Sequence, residues 1–199
     1  MPPSSTSKRT FFYFHGFNSA PGTDKAQALR DAFPAATVRE PEIPYHRGGW
    51  FAGLEAQARE ATGTGPVVLA GTSLGGFVAL QLARRLDLKA LVANPVVWAR
   101  HMMQFVGSQA NFATGFQYEW TAEHVNDLED LETAEPAAVL HPGQAVAALG
   151  HRDDLIDLPR TESWFRESRQ TVGWFDDDHR FSAGFRAALT AFRPFLAGD

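Results

Sequence analysis

The segment from residue 67 to residue 86 constrains the fold of this chain most strongly, because an apolar run there meets a glycine-rich turn and then a helical pattern. Val67 to Ala70 is continuously apolar, which is typical of a strand buried on both faces of a sheet. The turn G-T-S-L-G follows at residues 71–75, and apolar residues then recur at helical spacing from Leu74 to Leu86. A strand that turns sharply into a helix is the repeating unit of a parallel sheet.

The same alternation predicts the architecture of the rest of the chain. Further strands are predicted at Thr10 to His15, Thr37 to Ile43, Lys89 to Ala93, Gln144 to Leu149 and Thr171 to Phe175. Further helices are predicted at Asp24 to Phe33, at Trp50 to Ala61 and in the aromatic stripe from Phe181 to Phe195. The strand at Thr37 is expected at a sheet edge, because Pro41 and Pro44 lack the N–H that a central strand needs. We therefore expect an α/β fold with a mostly parallel central sheet and helices on both faces.

Two segments differ from this alternation. Residues 1–9 are polar and are predicted to form a flexible tail, and residues 10–199 then form a single domain. Residues 96–140 show no strand signal except a weak one at Ala137 to Leu140, and long connections in compact domains are often functional lids. We interpret this stretch as a small cap over a pocket, with ordinary packed surface helices as the alternative. The aromatic residues between 98 and 120 hint at an apolar acyl pocket, although such clusters more often form plain core.

Composition narrows the chemistry and the partners. The chain has no cysteine, which excludes disulfides, thiolate catalysis and cysteine-ligated zinc. A net charge of −5 without a lysine and arginine cluster gives no support for nucleic acid as a partner. No apolar run approaches the roughly 20 residues of a membrane span, and none near the N-terminus is long enough for a signal-peptide core. We expect a cytoplasmic protein, and the sequence carries no signal for an oligomeric state.

The turn at residues 71–75 fits the pattern G-x-S-x-G, which makes Ser73 a candidate nucleophile. The residues two before and two after such a serine approach each other closely, so side chains are not tolerated there. The start of the following helix directs backbone N–H groups and a positive dipole end towards a developing oxyanion. A glycine-rich turn can instead bind phosphate, but neither G-x-G-x-x-G nor G-K-[ST] is present at this turn.

A serine nucleophile needs a base and an acid that orients the base. In the α/β-hydrolase order both follow the serine, the acid first, each in a loop after a strand. His179 follows the last predicted strand and is therefore the predicted base. Asp153 fits a G-x-x-D-x-x-I pattern after the preceding strand and is the favoured acid, while Asp154 stays open as the alternative. Asp154 or Asp157 is otherwise interpreted as a helix cap.

Other candidate residues are assigned simpler roles. His101, His124 and His141 follow no clear buried strand and are interpreted as surface or packing residues. The run from Asp176 to His179 invites a metal site, but neighbouring carboxylates on one loop usually point apart and no EF-hand or H-E-x-x-H spacing accompanies the run. No metal is therefore expected.

The loop after the first predicted strand supplies the last predicted element of the site. In an α/β-hydrolase, the loop after an early strand lends a second N–H to the oxyanion hole. By that position Phe17 is predicted to donate its N–H beside that of Leu74, and His15 is predicted to fix the loop rather than to transfer protons.

At these segments the sequence resembles the small YqiA-type esterases of the α/β-hydrolase superfamily. The resemblance runs through H-G-F-N-S-A-P-G-T-D-K-A-Q-A-L at 15–29, G-T-S-L-G-G-F-V-A-L at 71–80, V-A-N-P-V-V at 92–97, D-D-L-I-D-L at 153–158 and D-H-R-F at 178–181. It implies an α/β-hydrolase fold and hydrolysis of carboxylic esters through an acyl-enzyme, with no cofactor. The chain departs from the usual pattern at Arg152 and at Asp176-Asp177, where the family typically carries glycine.

Together these features predict a serine hydrolase that acts on a small-molecule acyl ester. Ser73 would attack the acyl carbonyl, His179 would accept its proton and Asp153 would orient the imidazole. The same three residues would serve a thioesterase or an acyltransferase. A non-catalytic hydrolase-like binding protein is the alternative from a different class, and the intact order of serine, aspartate and histidine argues against it.

Overall fold

The computed structural model describes residues 8–133 and 140–198. The strands are β1 (Thr10–Phe14), β2 (Thr37–Arg39), β3 (Val67–Thr72), β4 (Lys89–Ala93), β5 (Gly107–Ala110), β6 (Gln117–Trp120), β7 (Ala145–Arg152) and β8 (Thr171–Asp178). The helices are α1 (Asp24–Ala32), α2 (Trp50–Thr62), α3 (Leu74–Leu86), α4 (Ala122–Thr133), α5 (Leu158–Glu167), α6 (Gly184–Ala191) and α7 (Arg193–Ala197), with a 3₁₀ helix at Ala99–Phe105. The tail predicted at 1–9 and the weak strand predicted at 137–140 fall largely outside the described residues.

Six strands form one parallel sheet in the order β2-β1-β3-β4-β7-β8, which confirms the predicted central sheet. The predicted edge strand is β2, and it ends at Arg39, before the two prolines. The boundary predicted at Ile43 was therefore too late. Proline removes the ladder donor, so the chain leaves the sheet before Pro41.

Apolar side chains cover both faces of this sheet. Along β1, Phe11 and Tyr13 pack into one cluster with α1 and α6, whereas Phe12 and Phe14 pack into the other with α2 and α3. Successive side chains of a strand point to opposite faces, so a strand covered on both sides has to be apolar throughout. The predicted helices on both faces are confirmed. Among the described helices, none is long and apolar enough to cross a bilayer.

The helix α5 was not predicted from the sequence, although Asp157 was interpreted as a possible helix cap. The Asp157 side chain accepts the N–H of Arg160 at the helix start, so the interpretation of Asp157 as a helix cap is confirmed. The helix buries only Leu158, Thr161 and Phe165, and most of its other positions are polar or charged. Such a narrow apolar stripe gives a weak periodic signal.

The connection between β4 and β7 contains secondary structure that the sequence did not predict. After the 3₁₀ helix, β5 and β6 pair as an antiparallel hairpin, and α4 follows. The expectation that no strand precedes residue 137 was therefore wrong. Both strands are four residues long and mostly polar, and their apolar anchor is the buried ring of Trp120. Short polar strands are stabilised by tertiary contact rather than by local propensity.

Candidate active site

The candidate residues converge at one edge of the central sheet. Ser73 follows β3, Asp153 follows β7 and His179 follows β8. Because parallel strands all end at the same edge, loops distant in sequence become neighbours there. The strand β4 lies between β3 and β7, so its carboxyl end lies in the middle of the site.

Close backbone contacts hold Ser73 in an uncommon conformation, with φ 54° and ψ −123°. A Cβ at Gly71 would lie 2.1 Å from the carbonyl oxygen of Gly75, and a Cβ at Gly75 would lie 2.1 Å from that of Phe14. Only glycine fits at both positions. The N–H of Ser73 donates to the carbonyl of Ala93, which ties the turn to β4.

The side chains of Ser73, His179 and Asp153 form a hydrogen-bonded series. His179 Nε2 lies 3.1 Å from Ser73 Oγ, and His179 Nδ1 lies 2.8 Å from Asp153 Oδ2. A proton on Nδ1 therefore donates to the carboxylate, which leaves Nε2 free to accept from the serine hydroxyl. The Asp153 side chain has no exposed surface, whereas His179 is 20% exposed.

Backbone hydrogen bonds fix the Asp153 carboxylate. Its Oδ1 accepts the N–H groups of Leu155 and Ile156 at 2.8 and 3.0 Å, so Oδ2 faces His179. Asp154, the alternative acid, is exposed to solvent. Of the two aspartates that the sequence left open, the structure brings Asp153 to the histidine.

The loop that begins at His15 passes directly against Ser73. A Cβ at Gly16 would lie 3.4 Å from Ser73 Cβ, so the residue after Gly16 is next to the serine. Within residues 8–133 and 140–198, the backbone N–H groups of Phe17 and Leu74 donate to no protein acceptor. Both predicted oxyanion donors are therefore unpaired: Leu74 directly follows Ser73, and Phe17 directly follows Gly16, which contacts Ser73.

His15 is buried below this loop, with 3% of its surface exposed. Its Nδ1 lies 3.1 Å from the Gly16 carbonyl, and the Tyr45 hydroxyl donates to the carbonyl of His15 at 2.8 Å. Burial lowers the pKa of His15, which favours the neutral imidazole at neutral pH. These contacts are those of a residue that shapes the loop.

A cavity of about 190 Å³ opens beside Ser73 and His179. Apolar side chains dominate its wall: Phe17, Val96, Met102, Phe105, Phe112, Leu155 and Ile156. His101 also lines this cavity. The pKa of His101 is lowered, mainly by burial and to a smaller extent by the nearby His179. The interpretation of His101 as a surface or packing residue overlooked this position, because nothing in the local sequence indicates which way the 3₁₀ helix faces.

The hairpin β5–β6 is attached to the loop through Asn18, which is buried and has φ 57°. Its Oδ1 accepts the Tyr118 hydroxyl at 2.5 Å, and its Nδ2 donates to Gln109 Oε1 at 2.9 Å. Burial raises the pKa of Tyr118 to about 12, so the hydroxyl keeps the proton that it donates. The Phe17 ring packs against Trp120 of the same hairpin, with centroids 5.0 Å apart. Apart from the motif H-G-F-N-S, nothing in the amino-acid sequence indicates this network.

The acidic run before His179 is dispersed among separate partners. Asp176 pairs with Arg152, and Asp178 accepts the N–H of Arg180. The buried Asp177 carboxylate accepts the N–H groups of Asp178 and Gly184, the latter at the start of α6. In the part of the chain that the structure describes, no three histidine or acidic side chains are grouped as metal ligands.

Comparison with known proteins gives the same fold. The model of an uncharacterised protein family, UPF0227, matches residues 10–197. A protein of the alpha/beta superfamily from Xanthomonas campestris pv. campestris superposes with a TM-score of 0.64 and 22% identity, covering 96% of this chain and 99% of that one. Est1E from Butyrivibrio proteoclasticus superposes with a TM-score of 0.74 and 11% identity, covering 98% of this chain and 89% of that one. An esterase from Pyrobaculum calidifontis superposes with a TM-score of 0.63 and 17% identity, covering 96% of this chain and 78% of that one. These similarities confirm the α/β-hydrolase fold.

Proposed function

The chain belongs to the uncharacterised protein family UPF0227, and we propose that it is a serine hydrolase that cleaves carboxylic esters. Membership agrees with the resemblance to YqiA-type esterases. The observation that carries the proposal is the series in which His179 Nε2 lies 3.1 Å from Ser73 Oγ and Nδ1 lies 2.8 Å from Asp153 Oδ2. Structural neighbours named as esterases support the same activity.

In the proposed acylation step, Ser73 Oγ attacks the acyl carbonyl carbon while His179 Nε2 accepts the hydroxyl proton. Asp153 keeps the proton on Nδ1, which orients the ring and stabilises the imidazolium that forms. When the tetrahedral intermediate collapses, the bond to the leaving alkoxide oxygen breaks and the imidazolium gives that oxygen its proton. The acyl group then remains esterified to Ser73.

The negative charge on the tetrahedral intermediate needs donors that are already in position. The N–H groups of Phe17 and Leu74 are unpaired within the described chain, and they belong to the residues directly after Gly16, which contacts Ser73, and directly after Ser73 itself. Leu74 is also the first residue of α3, so the positive end of the helix dipole contributes. Removing one such donor costs about 3 kcal/mol in other serine hydrolases, which indicates the size of the expected effect.

Deacylation repeats these roles with water as the nucleophile. The water oxygen attacks the acyl carbon while His179 accepts a proton from that water. His179 then gives the proton to Ser73 Oγ as the bond between Oγ and the acyl carbon breaks. The products are a carboxylic acid and the free enzyme. No cofactor takes part in either proposed step.

The cavity indicates the size of the acyl group. It holds about 190 Å³ and is mostly apolar. A cavity of about 150 Å³ in another protein holds a benzene ring, so the present one suits an apolar acyl group of about six carbons. We expect the rate to rise with acyl length up to about that size, as apolar contact increases, and then to level off.

The test compares wild type with Ser73→Ala on p-nitrophenyl hexanoate. We expect kcat/KM to fall at least about a thousandfold because the nucleophile is lost. Ser182→Ala removes an exposed hydroxyl and serves as the matched control, with an expected rate equal to that of wild type. Equal rates in wild type and Ser73→Ala would contradict the proposal. Hexanoyl esters of a thiol, assayed in parallel, separate an esterase from a thioesterase.

A further inference from the structure

An irregularity in the sheet lies next to the proposed base and acid. Strands β7 and β8 pair regularly up to Gly150 and Phe175, and the next pair is Arg152 with Asp178. One extra residue is therefore present on β8. Such a bulge interrupts the ladder, so local N–H and carbonyl groups need other partners. Bulges occur frequently beside active sites, where they redirect a side chain.

The side chain of Asn94 supplies those partners. Asn94 follows β4, is fully buried and has φ 40°, a left-handed conformation that asparagine adopts more readily than most residues. Its Oδ1 accepts the N–H of Gly150 at 2.8 Å, and its Nδ2 donates to the carbonyl of Asp178 at 2.9 Å. Its own N–H donates to Ala148 on β7.

These two bonds reach the loops that carry the proposed acid and base. Asp178 directly precedes His179, and the N–H of Asp153 donates to the carbonyl of Gly150 at 3.0 Å. The Nδ2 of Asn94 therefore reaches the residue before His179 and also lies 3.5 Å from the carbonyl oxygen of His179 itself, whereas two successive hydrogen bonds through Gly150 link Asn94 to Asp153. The partners of its side chain are backbone atoms, so it acts behind the site rather than on a substrate.

We propose that Asn94 is a positioning residue, whose amide joins Gly150 to Asp178 across the bulge and thereby sets the placement of His179 relative to Asp153 and Ser73. The proposal rests on the proposed function of those three residues. Displacement of a reacting group by about 1 Å can cost about a hundredfold in rate, so loss of this amide should lower kcat. Substrate binding should change little, because Asn94 is not part of the cavity wall.

The same two strands provide a matched control at their other end. Gln170 is buried just before β8, and its amide joins β7 to the preceding loop. Its Oε1 accepts the N–H of Ala145 at 2.8 Å, and its Nε2 donates to the carbonyl of His141 at 2.9 Å. Removing this amide breaks the same kinds of bond, far from the loops that carry the site.

The experiment compares Asn94→Gly, which tolerates the positive φ, with Gln170→Ala. Both variants are expected to melt at a lower temperature because each loses buried hydrogen bonds. In Asn94→Gly we expect kcat to fall about 10- to 100-fold with KM within about threefold of wild type. In Gln170→Ala we expect kcat within about twofold of wild type, because the hydrogen bonds that it loses lie far from the loops that carry Asp153 and His179.

A second readout does not depend on turnover. The proton between His179 Nδ1 and Asp153 should give a downfield resonance in the proton NMR spectrum of wild type. We expect this resonance to shift or broaden in Asn94→Gly and to stay unchanged in Gln170→Ala. If Asn94→Gly does not fold, Asn94→Asp replaces it, since it keeps the acceptor for Gly150 and loses the donor to Asp178.

The outcomes separate the two proposals. Wild-type kcat together with an unchanged resonance in a folded Asn94 variant would overturn the role of Asn94 and leave the serine hydrolase proposal intact. An equal fall in kcat in Gln170→Ala would also overturn it, because stability alone would then explain the loss. A wild-type protein without hydrolase activity would contradict the proposed function, while the resonance would still report whether Asn94 positions His179.

Discussion

The carboxyl edge of the central sheet and the hairpin β5–β6 both contribute to the wall of the same cavity but are built differently. At the edge, Asp153 has no exposed side-chain surface and Ser73 is held by two glycines that admit no side chain. On the hairpin, the ring of Phe112 is 85% exposed at the rim of the cavity. The edge is fixed by backbone contacts, whereas three of the four hydrogen bonds that attach the hairpin to the loop at Asn18 and Ser19 involve side chains, and the fourth joins the Phe112 N–H to the Asn18 carbonyl.

This difference separates two kinds of expected effect. Groups that need sub-ångström placement lie on strand ends and tight turns, which rigid elements hold best. In the proposed function, the hairpin residues that line the cavity would only enclose the substrate, which demands less exact placement. We therefore expect substitutions at the edge to lower kcat and substitutions on the hairpin to act mainly on KM and on preference for acyl length.

The largest effect is expected at Asp153. Asp153→Asn would favour the wrong tautomer of His179, and we expect kcat to fall by about 10³- to 10⁴-fold in an ester hydrolysis assay. Asp154→Asn is the matched control, because it changes the neighbouring exposed carboxyl, and its kcat should stay within about twofold of wild type. A larger loss in Asp154→Asn than in Asp153→Asn would reverse the assignment of the acid.

The next effect tests the rigidity of the edge. In Gly75→Ala the new Cβ would lie 2.1 Å from the Phe14 carbonyl oxygen, so we expect a loss of about 2 kcal/mol or more in unfolding free energy. To relieve this contact, the turn that carries Ser73 should shift, and the displacement of Ser73 should lower kcat. Gly53→Ala, at an open and exposed position in α2, should instead raise stability by about 0.5–1 kcal/mol. Denaturant melts distinguish the two, and equal stability of Gly75→Ala and wild type would contradict the packing described.

A smaller effect is expected where the hairpin is attached to the loop. Tyr118→Phe removes the hydroxyl that donates to Asn18, at a cost of about 1 kcal/mol, and should lower kcat/KM about fivefold through the neighbouring Phe17. Ser108→Ala removes an exposed hydroxyl from the same hairpin and should leave kcat/KM unchanged. If both variants matched wild type, the link between hairpin and loop would have no role in turnover.

The smallest effect is expected at the cavity rim. Phe112→Ala should change unfolding free energy by less than about 0.5 kcal/mol, because the ring is mostly exposed. It should raise KM for p-nitrophenyl hexanoate about threefold and leave the acetate ester unaffected. Phe116→Ala, which lines a different cavity, is the control and should alter neither value. An equal change for both esters would show that the rim does not contact the acyl chain.

The central sheet was predictable because its signals are local. The apolar runs of β1, β3 and β4 mark strands buried on both faces, and the helical spacing after Ser73 gave the bounds of α3 without error. The chain order of Ser73, Asp153 and His179 then pointed to one sheet edge. Pattern alone left Asp153 and Asp154 open, because the direction of each side chain depends on the turn that buries the first and exposes the second.

The hairpin and the role proposed for Asn94 depend on contacts that the local sequence does not record. The strands β5 and β6 are short and polar, and Trp120 becomes an anchor through tertiary contacts with the Phe17 ring and the Met102 carbonyl. Asn94 precedes a proline, which predicts the end of a strand but not a bond to Asp178 in another loop. Tertiary contacts of this kind override local propensity.

Covalent labelling by a fluorophosphonate probe tests the proposed nucleophile most directly, since such probes modify only a serine activated by its base. Mass spectrometry of the digested protein should find one modification, on the peptide that contains Ser73, and none in Ser73→Ala. Absence of labelling in a folded wild-type sample, or modification of a different serine, would contradict the proposal that Ser73 is the nucleophile.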